Sequence, residues 1–582
     1  MTVPGPQGSR GAAAAAAGAG PRRGAAGAGA GTGVRVKVRV PLRRVARAAA
    51  VACGVQFGWA LQLSLLTPYV QELGVAHAWA SLVWLCGPLS GLLVQPLVGH
   101  LSDRLGRRRS PFIVGGAATI AFAVITVGFS ADIGLALGDP PAATAAPRPR
   151  AVAVYVVGFW LLDVGNNATQ GPTRALLADL TGKDQRRNRI ANAYFSLFMA
   201  LGNVLGFATG SYSGWFTIFP FTVTSACTIN CANLKSAFLL HVILLAITTY
   251  ISISSIQGVT LPEEEEQQNH SEEAFLWELM GAFRYLTWPV WIVLIVTALT
   301  WIGWFPFFLF DTDWMGREIY RGKPDEGQNY HSGVRMGAFG LMLNSVVLGF
   351  SSVMLERLCK KWGSGLVWGV ANIIMSLCFL AMLVISLVAK SIDYQPSGLP
   401  PDGIVVAALI VFAILGAPLA VSKMLFLHQP HCVQESCFLH LVQHASCALP
   451  STNAVHLIPT SIFTIQSVAA FSSYPSYFYI QIVSIVWDGQ AYGRRCVAQV
   501  VHWITYSIPY AMVTTRLAMG ILNLAIVIPQ VIVSLGSGPW DQLFGGGNLP
   551  AFAVATAAAF LSGLVAIIGI PRSHITRARG HR

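Results

Sequence analysis

The sequence predicts an all-α membrane protein with twelve transmembrane helices in two six-helix halves and with both termini in the cytosol. Hydrophobic residues make up 54% of the 582 residues and charged residues 11%, whereas charged residues are roughly 25% of an ordinary soluble domain. Twelve segments are apolar over about 20 residues, the length needed to cross a bilayer. A polar connector with a run of glutamates separates the sixth segment from the seventh, which divides the chain into two halves.

The twelve segments follow one another closely, apart from one long interruption before the eleventh. They lie near 48–70, 79–99, 111–130, 151–172, 193–212, 236–256, 288–310, 334–355, 364–389, 403–421, 517–537 and 549–570. The predicted parts of the chain are a disordered Ala/Gly/Arg-rich cytosolic arm (1–45), an N-terminal half (46–256), a cytosolic connector (257–287), a C-terminal half (288–421 and 505–570), an anomalous insertion (422–504) and a basic cytosolic tail (571–582).

The distribution of basic residues orients the segments. Lysine and arginine concentrate in the cytosolic loops of membrane proteins, and most of the 38 in this chain fall in cytosolic segments when the N-terminus is placed inside. The net charge of +13 is explained by these loops. We therefore predict no nucleic-acid partner, and the lipid bilayer is the expected surroundings.

Two cytosolic loops at matching places in the halves have similar sequences. The loop after the second segment reads DRLGRRR, with Asp103, Arg104 and Arg107, and the loop after the eighth reads ERLCKKWG, with Glu356 and Arg357. The repeat suggests duplicated halves. We interpret these five residues as a latch that stabilises one conformation, and ordinary positive-inside loops are the alternative.

The fourth segment carries a polar row in the sequence VYVVGFWLLDVGNNATQGPTRALLADL. Asp163 lies near its middle, and residues three, four, seven and eleven further on are expected on one helix face. Those residues are Asn166, Asn167, Gln170 and Arg174. Ionisable groups inside membrane segments are costly and indicate function.

This row predicts a polar cavity at mid-membrane. Its amides and guanidinium could hydrogen-bond a ligand rich in hydroxyl groups, and Asp163 could take up and release a proton. The alternative is a structural network in which Asp163 is permanently paired.

Other polar residues lie at the outer ends of the segments. His77 follows the first segment, and Asp311, Asp313, Arg317 and Glu318 follow the seventh, where solvated loop charges are the simpler interpretation. Cys227 and Cys231 form either a disulfide or two free thiols.

We find no motif of an enzyme or an ATPase. The chain is therefore predicted to be no enzyme, to bind no cofactor or metal, and to draw its energy from an ion gradient.

Five segments resemble plant proton/sucrose symporters of the major facilitator superfamily. They read LQLSLLTPYVQELG, WASLVWLCGPLSGLLVQPLVGH, GFWLLDVGNNATQGP, FDTDWMGREIY and SLGSGPWDQLFGGGN. The resemblance covers about 35–421 and 505–582. The sequences GNNATQGP and TVTSACTINCANLKSAFLL are most similar to the vacuolar-membrane subgroup, so the vacuolar membrane is favoured and the plasma membrane is the alternative.

The resemblance implies the major facilitator fold, with sucrose and protons as ligands. It implies that Asp163 couples transport to the proton, that Arg174 helps to bind sucrose and that His77 lies on the sugar-access route. It also implies that three outer charges are needed for transport: Asp313, Arg317 and Glu318. The polar row adds Asn166, Asn167 and Gln170 as sugar ligands. Two alternatives remain: a carrier of broader glucoside or maltose specificity, and a sugar sensor that does not transport.

Residues 422–504 depart from the family pattern. Family members continue almost directly from GAPLA, which ends at Ala420, to TYSIPYAM, which begins at Thr505. The intervening histidines and cysteines are spaced too tightly for a zinc finger, so we predict no metal site there. Our hypothesis is that this stretch is translated non-coding sequence or a faulty gene model.

Sequencing the transcript across the codons of Ala420 and Thr505 tests this hypothesis. We expect mature messages in which the two codons lie close together, because the family pattern leaves no room for another segment there. Mature messages that uniformly contain the codons for 422–504 in frame would contradict it.

Overall fold

The computed structural model describes residues 40–104, 109–142, 147–182, 184–257, 288–324, 328–394, 398–423 and 521–570. Within these ranges, twelve helices are long and apolar enough to cross a membrane. We label them in chain order: α1 (Leu42–Glu72), α2 (His77–Gly99), α3 (Arg109–Gly128), α4 (Pro149–Thr181), α5 (Arg186–Ser211), α6 (Ile229–Ile256), α7 (Val290–Ile319), α8 (Gln328–Leu355), α9 (Ser364–Ser391), α10 (Asp402–Lys423), α11 (Ile521–Leu543) and α12 (Leu549–Gly569). The predicted fold class is confirmed.

Small residues allow the helices to approach one another closely. A Cβ atom added to Gly206 of α5 would lie 2.6 Å from the Phe57 carbonyl oxygen of α1, and one added to Gly165 of α4 would lie 2.8 Å from Ile120 of α3. In a bilayer, close packing of this kind replaces much of the hydrophobic drive that holds soluble helices together.

Helix α7 is longer than the sequence predicted. We expected the seventh segment to end near 310, with a charged loop beyond it, but α7 continues to Ile319 through a π-helical turn at Met315–Ile319. Asp311, Asp313 and Glu318 are buried there rather than solvated. The prediction of a loop was wrong because Asp313 and Glu318 find partners on other helices, while Asp311 accepts the backbone N–H of Thr312 within α7.

The connection between α5 and α6 is fixed by polar and covalent contacts. Cys227 and Cys231 form a disulfide, so the first of the two sequence alternatives holds. The buried ammonium group of Lys235 pairs with Asp132 and donates to the Thr222 carbonyl oxygen over 3.2 Å. Arg148 donates to the Ala226 carbonyl oxygen over 3.0 Å. These contacts hold the outer ends of α3, α4 and α6 together.

The contact between α1 and α5 gives a test of the packing. We expect Gly206→Ala to lower the free energy of unfolding by about 1–3 kcal/mol, the usual cost of overpacking, as measured by denaturation of the purified protein in detergent. Gly171→Ala is the matched control, because a Cβ added to Gly171 meets nothing within 4 Å. Equal stability of the two variants would contradict this packing.

Candidate transport site

Asp163 lies near the middle of α4 and is 5% exposed. Its Oδ1 accepts a hydrogen bond from Nε2 of Gln62, on α1, over 3.0 Å. In the described part of the chain, its Oδ2 accepts no hydrogen bond from a nitrogen or an oxygen atom. This oxygen faces α2, because a Cβ added to Gly87 would lie 3.5 Å from it. Gln62 therefore holds one oxygen of the carboxylate, while the other has no such donor and the Cys86 thiol of α2 lies beside the group.

The polar row below Asp163 divides between two neighbouring helices. Asn166 Nδ2 lies 3.5 Å from Gln62 Oε1 on α1. Asn167 Nδ2 donates to Ser90 Oγ of α2 over 2.9 Å, and Gln95 of α2 donates to Asn167 Oδ1 over 2.6 Å. The spacing predicted a single polar face, but Asn166 and Asn167 lie on two adjacent faces of α4. Consecutive residues of an α-helix diverge by about 100°.

The remaining members of the row are more accessible. Gln170 is half-buried and Arg174 is exposed. The Arg174 guanidinium lies 5.0 Å from the ring centroid of Phe195 on α5, within the range of a cation–π contact. From Asp163 to Arg174, α4 therefore carries amide and guanidinium donors whose exposure increases along the helix.

A second polar cluster, which we call the outer seal, joins the two halves. Its members from the first half are Gln71 and His77, and those from the second half are Asp313, Arg317, Glu318, Tyr330, Lys390, Asp541 and Asn548.

Asp313 is the centre of the outer seal and is completely buried. It accepts hydrogen bonds from Gln71 Nε2 (3.1 Å), Arg317 Nε (3.1 Å), Tyr330 Oη (2.5 Å) and Asn548 Nδ2 (3.0 Å). Arg317 also donates to the side-chain oxygen of Gln71. Because Gln71 lies on α1, these contacts tie the first half to the second.

His77 bridges two carboxylates of the opposite half. Its Nδ1 lies 3.4 Å from Asp313 Oδ2 and its Nε2 lies 3.5 Å from Asp541 Oδ2. Its ring packs on Phe310, with centroids 4.6 Å apart. The side chain is only 10% exposed, so the structure buries a histidine that the sequence placed at a membrane edge.

Glu318 completes the outer seal on the side of α9. Its Oε2 lies 3.1 Å from Lys390 Nζ, and its Oε1 accepts the backbone N–H of Asn548 over 3.2 Å. The preceding residue, Gly547, has a φ of +114°, a conformation that favours glycine. The sequence grouped Asp313, Arg317 and Glu318, and the structure brings them together with His77.

Some residues of both clusters were not singled out from the sequence. Gln62 and Gln71 lie in LQLSLLTPYVQELG, and Asp541 and Asn548 lie in SLGSGPWDQLFGGGN. These segments carry the resemblance to the sucrose symporters, and this was the one signal in the sequence that could have identified the four residues.

Of the proposed latch, Arg104 and Arg357 are exposed. Arg107 and the side chains of Asp103 and Glu356 lie outside what the structure describes, so the latch stays a prediction.

Comparison with known proteins places the chain in a family. Residues 39–432 match the family model of the Major Facilitator Superfamily. The chain is 60% identical to sucrose transport protein SUT2 of Oryza sativa subsp. indica over 567 residues, which cover 93% of this chain and 96% of that protein. It is 51% identical to sucrose transport protein SUC4 of Arabidopsis thaliana, with 92% of each chain covered. The chain belongs to the sucrose transporter family of the Major Facilitator Superfamily.

Solved structures agree with this membership at the level of the fold. A D-xylose-proton symporter superposes with a TM-score of 0.52 over 91% of this chain and 98% of that chain, at 12% identity. The twelve apolar helices and the family membership make this member of the sucrose transporter family a multi-pass integral membrane protein. Family membership also confirms that it is a transport protein rather than an enzyme.

The hydrogen bonds of the outer seal predict different effects for two of its three carboxylates, Asp313 and Asp541. We expect Asp313→Asn to lower the free energy of unfolding by about 3–5 kcal/mol, because breaking a buried charge pair leaves its cationic partners uncompensated. Asp541→Asn should cost less than half as much, since the Asp541 carboxylate meets only His77 and the Ala551 backbone N–H in the described contacts. Thermal unfolding in detergent measures both variants, and equal effects would refute Asp313 as the centre of the seal.

Proposed function

We propose that this protein is a proton-coupled sucrose symporter that works by alternating access. The observation that carries the proposal is the setting of Asp163, a buried mid-membrane carboxylate with one oxygen held by Gln62 and the other without a hydrogen bond from the described residues. A carboxylate of this kind is suited to binding one proton and releasing it. The proposal takes its substrate from the relatives, which are named as sucrose transport proteins.

The side chains near Asp163 suit a neutral, hydroxyl-rich ligand. Asn166, Asn167 and Gln170 each carry both a donor and an acceptor, and Arg174 offers up to five donors. A disaccharide needs many such hydrogen bonds to replace its hydration. We therefore assign these four residues to sucrose binding, with Arg174 at the accessible end of the site.

Proton binding links sucrose to the gradient through charge. A charged Asp163 has to stay hydrated or hydrogen-bonded, so the ionised carboxylate opposes closure of a dry cavity around it. Protonation removes the charge and makes the closed, sugar-loaded state accessible. Rocking of the two halves then exposes the site to the opposite side.

The outer seal supports a state that is closed on the side of His77. In this state, buried ion pairs and hydrogen bonds join α1 and the start of α2 to α7 and α11. Tyr330 of α8 and Asn548, which precedes α12, donate to the same Asp313 from within the second half. Transport requires these contacts to break and water to replace them. This requirement gives Asp313, Arg317, Glu318 and His77 a role in transport without direct contact with sugar.

The membrane and the direction of transport follow from the resemblance to the vacuolar subgroup. We propose that the protein lies in the vacuolar membrane, where an acidic lumen drives sucrose into the cytosol. A fluorescent fusion imaged together with a vacuolar marker tests the location, and signal at the plasma membrane would instead assign the protein to uptake from outside the cell.

Replacement of Asp163 tests proton coupling. We expect Asp163→Asn in proteoliposomes to retain exchange of labelled for unlabelled sucrose at equal pH, because the amide keeps the shape of a protonated carboxyl group. Uptake against a sucrose gradient, driven by an imposed pH gradient, should fall by at least about tenfold. Asp184→Asn is the matched control, because Asp184 caps a helix outside the site and Asn caps equally well.

Three results would contradict the proposal. Proton-driven accumulation that persists in Asp163→Asn would remove Asp163 from coupling. Sucrose binding without any flux in the wild-type chain would favour a sensor. Equal competition by maltose and other glucosides would replace sucrose specificity with the broader alternative.

A further inference from the structure

The hydrogen bond between Gln62 and Asp163 connects the mid-membrane carboxylate to α1. Gln62 is 1% exposed. Its Nε2 donates to Asp163 Oδ1 over 3.0 Å, and its Oε1 lies 3.5 Å from Asn166 Nδ2. Both ends of the amide thus face α4, which fixes its orientation.

The opposite side of α1 is attached to the second half of the protein. Gln71 is nine residues beyond Gln62, and at about 100° per residue it points in the opposite direction. Gln71 donates to Asp313 over 3.1 Å, and the Ser64 carbonyl oxygen accepts from Thr312 Oγ1 over 2.9 Å. Helix α1 therefore joins Asp163 on one side to the outer seal on the other.

We propose that Gln62 is a positioning residue that couples the charge on Asp163 to the position of α1. Because its amide donor occupies Oδ1, a proton that binds Asp163 is directed to Oδ2, which accepts no hydrogen bond from a nitrogen or an oxygen atom of the described residues. The titratable side chains beside Asp163 are Cys86 of α2 and Tyr155 of α4. A hydrogen bond to an ionised group is about twice as strong as one between neutral groups. Protonation therefore loosens the attachment of α1 to α4, and deprotonation tightens it.

This inference rests on the proposed proton coupling and extends it to the outer seal. When Asp163 is ionised, α1 is held against α4 and Gln71 stays in the seal. When Asp163 is protonated, α1 is freer to move, so the contacts of Gln71 and Ser64 with α7 can break. In this way one proton changes both the ligand site and the gate.

Replacement of Gln62 by methionine tests the inference. Gln62→Met keeps the length of the side chain and removes the donor, and Gln56→Met is the matched control. Gln56 is also a buried glutamine of α1, but it donates to Asn203 of α5 over 2.8 Å. The full chain in proteoliposomes is assayed for sucrose exchange at equal pH and for the initial rate of uptake as a function of outer pH.

We expect Gln62→Met to retain exchange and to shift the pH of half-maximal uptake upward by about one unit, since the ionised form of Asp163 has lost its donor. Gln56→Met should keep the wild-type pH profile. A wild-type profile in Gln62→Met, or the same shift in both variants, would overturn the inference. If Gln62→Met shows no exchange, Gln62→Asn, whose amide is one methylene shorter, is assayed in the same two ways. Retained exchange with an upward shift of the pH of half-maximal uptake would support the inference, and a wild-type pH profile would overturn it.

Asp163→Asn separates this inference from the proposed function. If Asp163→Asn still accumulates sucrose in response to protons, the proposed function fails. If it does not accumulate sucrose while Gln62→Met behaves as the wild type, only the role of Gln62 is overturned.

Discussion

A carboxylate half-way across a membrane has to be hydrogen-bonded or neutralised, and this constraint organises the first half of the protein. Transfer of an ion into a dry interior costs several kcal/mol even after relaxation. Here the amide of Gln62 supplies the hydrogen bond from α1. Close packing of α3 behind α4, at Gly165 and Ile120, leaves the carboxylate to face α1 and α2. The position of Asp163, its hydrogen bond from Gln62 and the packing of α3 against α4 therefore meet the same requirement.

The outer seal meets the same constraint in a different way. Its carboxylates, Asp313, Asp541 and Glu318, face the cations Arg317 and Lys390 and the imidazole of His77. Attraction between these opposite charges stabilises one arrangement of the two halves. Such a contact is either fully formed or fully broken, as a gate requires. By contrast, the hydrogen-bond donor to Asp163 is a neutral amide. A neutral partner leaves the charge of Asp163 free to change, and this contrast separates the proton site from the gate.

The sequence predicted the helices well because hydropathy is a local property. All twelve segments were placed, and Asp163 was identified because a charge within an apolar segment stands out. Non-local contacts could not be predicted in the same way. Gln71 and Asp313 are separated by 242 positions, and Asn548 and Asp313 by 235, so no spacing rule connects them.

Two errors had the same origin. The charged end of α7 was assigned to a loop because its partners lie on other helices. Asn166 and Asn167 were placed on one face although consecutive helical residues diverge by about 100°, and the sequence does not show that Asn166 meets α1 while Asn167 meets α2. In both cases, the position of the side chain depends on which helix packs against it, and the sequence alone does not give that helix. Residues 422–504 were recognised only by their departure from the family pattern, and their interpretation stays a prediction.

Proton movement during sucrose transport is the most direct measurement of the central claim. Proteoliposomes that hold the purified full chain and a trapped pH-sensitive dye are given sucrose outside, with no initial pH gradient. The account predicts that sucrose entry acidifies the interior and that a proton ionophore abolishes this change. Sucrose entry at an unchanged internal pH would contradict the account, because sucrose would then cross without a proton.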